Sequence, residues 1–327
     1  MTNRSEASAA PSSVESPWLR AARYLVRFYL SRCPLRNGKG RIYQAFQEKL
    51  RPPQRWQTIT VRQGFRLRLD LLDPAQRQLY FFGEYDERHE IRLLQHLLLP
   101  GDCFWDVGAN IGVYTLTAAG LVGPAGRVVA FEPAAYAWQA LNDNVALNPG
   151  RTIRLVHLAL SDRSGQATLH RRAAYADGGA SLIPRQGYHQ ETETVATLPL
   201  DDFLAQSGEP PPNFLKIDVE GHETSVLAGA HRLLAGPQPP LILIEMNDPA
   251  SIRAQLQQAG YQGVYRHRRR WQQGTEAPSR APSRNMLWFR PDVSWQRDRL
   301  SFLGFCSCTL MGSDCRPSRE SHSRNKA

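Results

Sequence analysis

Cys103-Phe104-Trp105-Asp106-Val107-Gly108-Ala109-Asn110-Ile111-Gly112 is a short apolar run that ends in a glycine loop, and residues 113–121 continue it as a helix. A five-residue apolar run bounded by glycine predicts a buried strand. Gly108 and Gly112 permit a tight turn and close backbone approach, and the helix that follows offers free amide donors at its start. The strand-then-helix rhythm recurs downstream. Strands at 128–131, 154–158, 214–219 and 241–245 alternate with helices at 136–147, near 224–234 and at 251–258. Five buried strands joined by helical crossovers predict an α/β protein with a doubly wound, mostly parallel sheet. Between 263–265 and 286–289 there is only a polar Arg/Gln/Pro stretch, which predicts an antiparallel hairpin at the sheet edge.

Upstream, 58–61 and 65–69 alternate with period two around Gly64 and predict a hairpin. Residues 87–99 place Ile91, Leu94, Leu97 and Leu98 on one helical face, stopped by Pro100-Gly101. Residues 1–17 are too rich in Ser, Ala, Pro and Glu to order themselves. In 18–30, aromatic and aliphatic residues mix with Arg20, Arg23 and Arg27, which share a helical face. Such a helix can lie on anionic lipid or pack on the main domain with a solvated arginine stripe, and the second is preferred because such stripes are common. The chain thus divides into a basic arm (1–57), a main domain (58–290) and a pattern-free basic tail (291–327). Removal of that tail after Pro291 is expected to leave stability unchanged. Its Cys306, Cys308 and Cys315 lack a fourth ligand at zinc-finger spacing.

With 327 residues, 42% hydrophobic and 21% charged, the chain is not disordered as a whole. Five cysteines make no disulfide framework and suggest a reducing compartment. The net charge of +10 is concentrated at the ends, while 58–250 holds 15 basic against 22 acidic residues. A nucleic-acid groove through the middle is therefore not expected, and arginine outnumbers lysine 36 to 4, which looks more like coding bias than phosphate recognition. No apolar stretch is long enough to span a bilayer and no secretory h-region is present. The expected location is cytoplasmic, with peripheral membrane contact open through 18–30.

Ligands of open parallel sheets sit beyond the carboxyl ends of the strands, and each predicted strand end carries an acid. Asn110 replaces the middle glycine of a dinucleotide loop, so the loop suits something smaller than a pyrophosphate. Glu132, at the next strand end, can accept from both hydroxyls of a ribose. Beside Ser161, Asp162 can accept from an exocyclic amine or serve as an ordinary turn former. Lys216-Ile217-Asp218-Val219-Glu220-Gly221-His222-Glu223 concentrates ionisable groups where a buried strand gives out, and Glu245-Met246-Asn247 closes the fifth strand.

DVGANIG, FEP, LSD, LKIDVEGHE and LIE, in this order and spacing, resemble the FkbM family of S-adenosylmethionine-dependent methyltransferases, as does the lead-in Gly83-Glu84-Tyr85-Asp86. The resemblance covers about 58–290 and implies a Rossmann-like methyltransferase sheet with S-adenosyl-L-methionine as cofactor. It implies that Gly108, Asn110 and Gly112 cradle the amino-acid end of the donor, Asp106 its ammonium, Glu132 its ribose, and Asp162, with Ser161 beside it, its adenine. Asp218 and Glu220 would face the reacting centre. The acceptor expected from the family is a hydroxyl of a sugar, glycolipid or polyketide.

Methyl transfer from a sulfonium needs mainly alignment, but an aliphatic hydroxyl must lose its proton to a nearby base. The catalytic candidates are Glu220 or His222 as base, with Asp218 orienting it or the donor. His222 is equally readable as a turn histidine. A divalent ion on Asp218, Glu220 or Glu245 is chemically open, though no metal is predicted. A nicotinamide-dependent oxidoreductase is the rival enzyme, disfavoured by the missing glycine and by the lack of a Tyr-x-x-x-Lys pair. A non-enzymatic adaptor using the basic ends on a membrane or nucleic acid is the other alternative. Acceptor choice is expected to depend on 173–198, a lid or acceptor wall containing Tyr175, Gly178-Gly179 and Tyr188.

Overall fold

In a computed structural model, residues 15–34, 37–172, 179–184, 190–267, 270–274 and 284–303 are described. Helices α1 (Pro17–Arg32) and α2 (Lys39–Phe46) come first, then strands β1 (Trp56–Thr60) and β2 (Arg66–Asp70), which pair antiparallel as the period-two pattern predicts. Helix α3 (Pro74–Phe82) starts where the Asp73 side chain accepts from the amides of Ala75 and Gln76, the capping arrangement that Asp before Pro favours. Helix α4 (Arg88–Leu97) buries Ile91, Leu94 and Leu97 as expected. The second edge of the hairpin is occupied by side chains: the amides of Arg66 and Arg68 donate to Asn148 and Asn144.

The central units are β3 (Cys103–Val107), α5 (Val113–Val122), β4 (Arg127–Phe131), α6 (Ala135–Ala146) and β5 (Ile153–Val156). A side sheet follows from β6 (Ala159–Ser161), β7 (Gly165–Arg172) and β8 (Gln190–Pro199), ordered β6-β8-β7. Then come α7 (Leu200–Ser207), β9 (Phe214–Ile217), α8 (Glu223–Ala228), α9 (His231–Ala235), β10 (Leu241–Glu245), α10 (Pro249–Gln258), β11 (Gln262–His267), β12 (Arg270–Gln273), β13 (Asn285–Phe289) and α11 (Ser294–Leu300). The main sheet runs β12-β11-β13-β10-β9-β3-β4-β5, and β10-β9-β3-β4-β5 are all parallel. Every residue of β3, β9 and β13 is buried, so apolar layers cover both sheet faces. The strand order reverses at β3, with β4 on one side and β9 on the other.

Several expectations change. The antiparallel pair β11 and β13 forms beside the parallel core, the fully buried β13 lying between β10 and β11, and β12, expected as loop, adds the outermost strand. The helix near 224–234 is two helices, interrupted at Gly229 and Ala230. The main domain does not stop at 290, because α11 buries Gln296 and Leu300 completely and Arg299 grips Asp102 through both guanidinium nitrogens. Nor is the N-terminal arm separate, since Leu30, Tyr43 and Leu50 join the main core. Within α1 the arginine stripe is only partly solvated: Arg20 is exposed, but Arg23 is buried and donates to the Leu50 carbonyl, while Arg27 donates to the Tyr80 carbonyl from above that ring. Tyr175, Gly178, Tyr188, Cys306, Cys308 and Cys315 lie outside the described residues; the C-terminal part of the expected lid segment, from 190 on, is strand β8.

Candidate functional site

At the switch point the loops after β3 and β9 meet almost without clearance. Gly108 has φ +82°, and a Cβ there would stand 1.9 Å from the Asp218 carbonyl oxygen, so glycine alone permits this approach. Gly112, φ +92°, admits α6 in the same way: a Cβ would lie 2.7 Å from Leu141 Cδ1. Between them Asn110 takes a left-handed φ of +50° and directs its amide to Glu132 Oε2 at 2.7 Å, while the Ala134 amide donates to Oε1 at 2.9 Å. Burial nevertheless raises the Glu132 carboxyl to about 7, the two amide bonds only partly opposing it.

Two cavities share this switch point. A narrow slot, with about 60 Å³ of free volume, runs past Glu132 between apolar walls that include Leu160, Leu169 and Leu182. A wider cavity of about 310 Å³ is more polar and is walled by Asp73, Gln76, Tyr85, Tyr114 and Lys216. Gly108, Asn110, Asp218 and Glu220 line both. Glu220 achieves this with a left-handed φ of +56°, its carbonyl accepting from Ser181 Oγ at 2.8 Å. A non-glycine residue in that region is a local strain of the kind found at functional turns.

Below the shared wall lies a buried charge cluster. Lys216 Nζ stands 3.1 Å from Asp218 Oδ2, 4.0 Å from Asp106 Oδ1 and 4.5 Å from the centre of the Tyr114 ring. Burial opposes its charge, but the carboxylates of Asp218, Asp106 and Glu87 outweigh that and keep its pKa above the ordinary lysine value. The Tyr114 hydroxyl donates to Glu87 at 2.7 Å and the Asn285 amide donates to the other oxygen at 2.9 Å. Helix α4 is thereby tied to α5 and β13, which holds the neighbouring Tyr85 over the cavity.

The sequence-predicted residues fall into three groups. Gly108, Asn110, Glu132, Asp218, Glu220 and His222 converge on the cavities. Gly112 shapes the loop from behind. Asp106, Ser161 and Asp162 line neither cavity. Asp106 is fully buried, accepts from Thr115 Oγ1 at 2.6 Å and leaves Oδ1 without a hydrogen bond; burial raises its pKa. It faces Lys216 Nζ within the protein at 4.0 Å. Ser161 Oγ donates to Asp162 at 3.0 Å and lies 2.9 Å from His222 Nε2, and the adjacent slot wall is Leu158, Ala159 and Leu160 instead. His222 lines only the slot, and burial lowers its pKa. Glu245, raised to about 7 by burial and then by the Asp218 charge, bonds Asn247 away from both cavities. Among the described residues, no three His, Cys, Asp or Glu side chains are grouped to hold a metal ion. Asp73, Gln76 and Tyr114 join the site with nothing in their spacing to announce it, Asp73 before Pro74 marking only a helix start; Tyr85, which joins them, lies in the lead-in segment Gly83-Glu84-Tyr85-Asp86 that the motif resemblance included, without a role assigned there.

Residues 106–262, from the glycine loop through β9 and β10 to β11, match the family model of the methyltransferase FkbM domain. Hexuronic acid methyltransferase AglP of Haloferax volcanii is 33% identical over 177 residues, spanning 53% of this chain and 69% of that enzyme. The chain belongs to the FkbM methyltransferase family. A second FkbM-type relative, 31-O-demethyl-FK506 methyltransferase FkbM of Streptomyces tacrolimicus, is 36% identical over 162 residues; the match spans 40% of this chain and 60% of the relative, under two thirds of its length. The crystal structure of methyltransferase FkbM from Methylobacillus flagellatus KT superposes with a TM-score of 0.40 at 18% identity, over 66% of this chain and 55% of that one. Family membership makes the chain a methyltransferase, and the family match contains the entire wall shared by the two cavities. Asp73, Gln76 and Tyr85 lie N-terminal to it. No described helix is long and apolar enough to cross a membrane.

Proposed function

We propose that this enzyme transfers a methyl group from S-adenosyl-L-methionine to a hydroxyl oxygen of a sugar-containing or polyketide-type small molecule. The observation that carries this is the shared wall: a slot built around Glu132 and a polar cavity meet at Gly108, Asn110, Asp218 and Glu220. The cradle fits the donor, because only glycine at 108 leaves the backbone clear and the Glu132 carboxylate keeps lone pairs beyond its two amide bonds for ribose hydroxyls. When bound there, S-adenosylmethionine supplies an activated methyl group on a sulfonium and departs as a neutral thioether.

The chain's own residues align the acceptor and move its proton. Asp73, Gln76, Tyr85 and Tyr114 give the wider cavity the hydrogen-bonding walls a polyhydroxylated acceptor requires. Relatives point the same way: one is named for a hexuronic acid and the other for the 31-oxygen of FK506. As the hydroxyl oxygen bonds to the methyl carbon, its proton passes to Glu220, which lines both cavities. Asp218, held by Lys216 at 3.1 Å, positions that end of the site, and His222 orients the donor side. Alignment supplies most of the acceleration and the base a further factor of about 10²–10⁴.

Calorimetric titration with S-adenosylhomocysteine, beside Glu132→Ala, tests the donor assignment. Micromolar binding that weakens about 10–100-fold in the variant is the expected result, the loss of a charge-assisted acceptor. Equal binding by the two proteins overturns the ribose contact, and binding of a nicotinamide analogue instead overturns the reaction class.

A further inference from the structure

Helix α1 wears its amphipathicity inside out. Its polar stripe faces the protein, where Arg23 donates to the Leu50 carbonyl at 2.6 Å, pairs with Glu15, and Arg27 donates to the Tyr80 carbonyl at 3.0 Å. Leu30 completes that inner face. The opposite face carries Trp18, Leu25 and Phe28, seven and three residues apart, which are 84%, 65% and 56% exposed; Tyr24 beside them is 69% exposed. The arginine contacts prevent the helix from rolling to bury them. Four large side chains at these exposures present on the order of 500 Å² of mostly apolar surface, as much as the largest, often functional, patch of an ordinary monomer.

The charge around this face is predominantly positive. Arg20 and Arg32 are exposed on the same helix. At its C-terminal end opens a groove of about 560 Å³ lined by Arg32, Lys39, Arg62, Arg88 and Arg92. Among the described residues only Glu84 and Asp86 oppose them there, and Glu84 already pairs with Arg62 and Arg88. Residues 1–57 hold 11 basic against 3 acidic side chains, whereas 58–250 is acidic. An aromatic and aliphatic stripe with arginines at its borders is the composition that settles at a bilayer interface, apolar side chains among the acyl boundary and cations at anionic headgroups. A second copy of the chain fits less well, since a stable protein interface takes about 800 Å² from each partner.

We propose that the outer face of α1, with the basic groove at its C-terminal end, docks the enzyme laterally on an anionic lipid bilayer. Tyr85 lines both that groove and the acceptor cavity, so the groove leads from the docked helix toward the reacting centre. The proposal stands independently of which acceptor or donor the site takes.

Flotation of the full chain with phosphatidylcholine vesicles, with and without phosphatidylglycerol, provides the test. The wild type is expected to float with the phosphatidylglycerol vesicles, to release as salt is raised, and to bind phosphatidylcholine alone at least tenfold more weakly. The variant Trp18→Ser/Leu25→Ser/Phe28→Ser should lose at least tenfold in vesicle binding while its melting temperature and its S-adenosylhomocysteine titration match the wild type. A milder Phe28→Ser variant, intermediate in binding, guards against an unfolded triple variant. Wild type that stays with the soluble fraction overturns the proposal, as does equal binding by wild type and triple variant. Sedimentation velocity covers the rival occupant: a wild-type dimer that the triple variant turns into a monomer, without vesicle binding, assigns the face to a second copy.

Discussion

The two cavities that meet at the switch point are built by different means. The polar end of the slot is set by backbone, left-handed turns at Gly108 and Asn110 and two amides on Glu132, with plain apolar side chains such as Leu160, Leu169 and Leu182 along its length. The wider cavity is made by side chains, Asp73, Gln76 and Tyr85 arriving from α3 and the turns that flank it, Tyr114 from α5 and Lys216 from β9. Backbone geometry is tolerant of sequence away from a few glycines, whereas a wall of side chains is re-specified by every substitution. One side held by a few fixed turns and one side free to vary is an arrangement on which a single fold can carry different specificities.

Substitutions can separate the two sides. Gly108→Ala should break both at once: a Cβ 1.9 Å from the Asp218 oxygen forces the loops apart, and S-adenosylhomocysteine binding and turnover should both vanish in a protein that still folds. Turnover with normal donor affinity would show that the close approach is not needed. Glu220→Gln, on the shared wall, should lower kcat about 10²–10⁴-fold while the donor titration stays unchanged; retention of activity would remove Glu220 as the base. Tyr85→Phe touches only the acceptor side. Its expected effect is a rise in acceptor KM of about 2–10-fold, the value of one hydrogen bond, with donor affinity constant. A change in donor affinity instead would mean that the two cavities are energetically one.

The smallest effect concerns stability and pH. Burial raises the folded-state carboxyls of Glu132 and Glu245 to about 7, so the folded protein keeps protons that the unfolded chain releases near the ordinary carboxylate value. Stability of the unliganded protein should therefore fall as pH rises from about 4.5 to about 7, and level off above. Glu132→Gln, which cannot ionise, should flatten its share of that slope in thermal melts recorded across the window. An unchanged slope would mean that Glu132 stays solvated and the slot is open rather than dry.

Much of the glycine-loop end of the slot could be read in the chain because its signals are local. A five-residue apolar run, two glycines four apart and an acid at the next strand end each act through their own backbone neighbours, and the strands 103–107 and 241–245 fall where periodicity puts them. The side sheet escaped because 165–172 and 190–199 are largely polar, and pairing with each other rather than a local pattern makes them strands. Asp162 shows a related limit: the acid accepts from the neighbouring Ser161 Oγ, which in turn lies against His222 Nε2, and spacing does not record that contact.

The sequence by itself determined the α/β order, the parallel core, the glycine loop and the family, since each depends on residues close in the chain or on a motif set in fixed order. Tertiary structure decided what depends on distant partners. It turned Asp106 inward to Lys216, brought α3 over the reacting wall, extended the domain through the buried Leu300, and set the arginines of α1 against carbonyls of Leu50 and Tyr80. A helix records in its sequence that it has two unlike faces; which face meets the protein depends on the acceptors waiting there, and these are contributed by chain far removed from the helix itself.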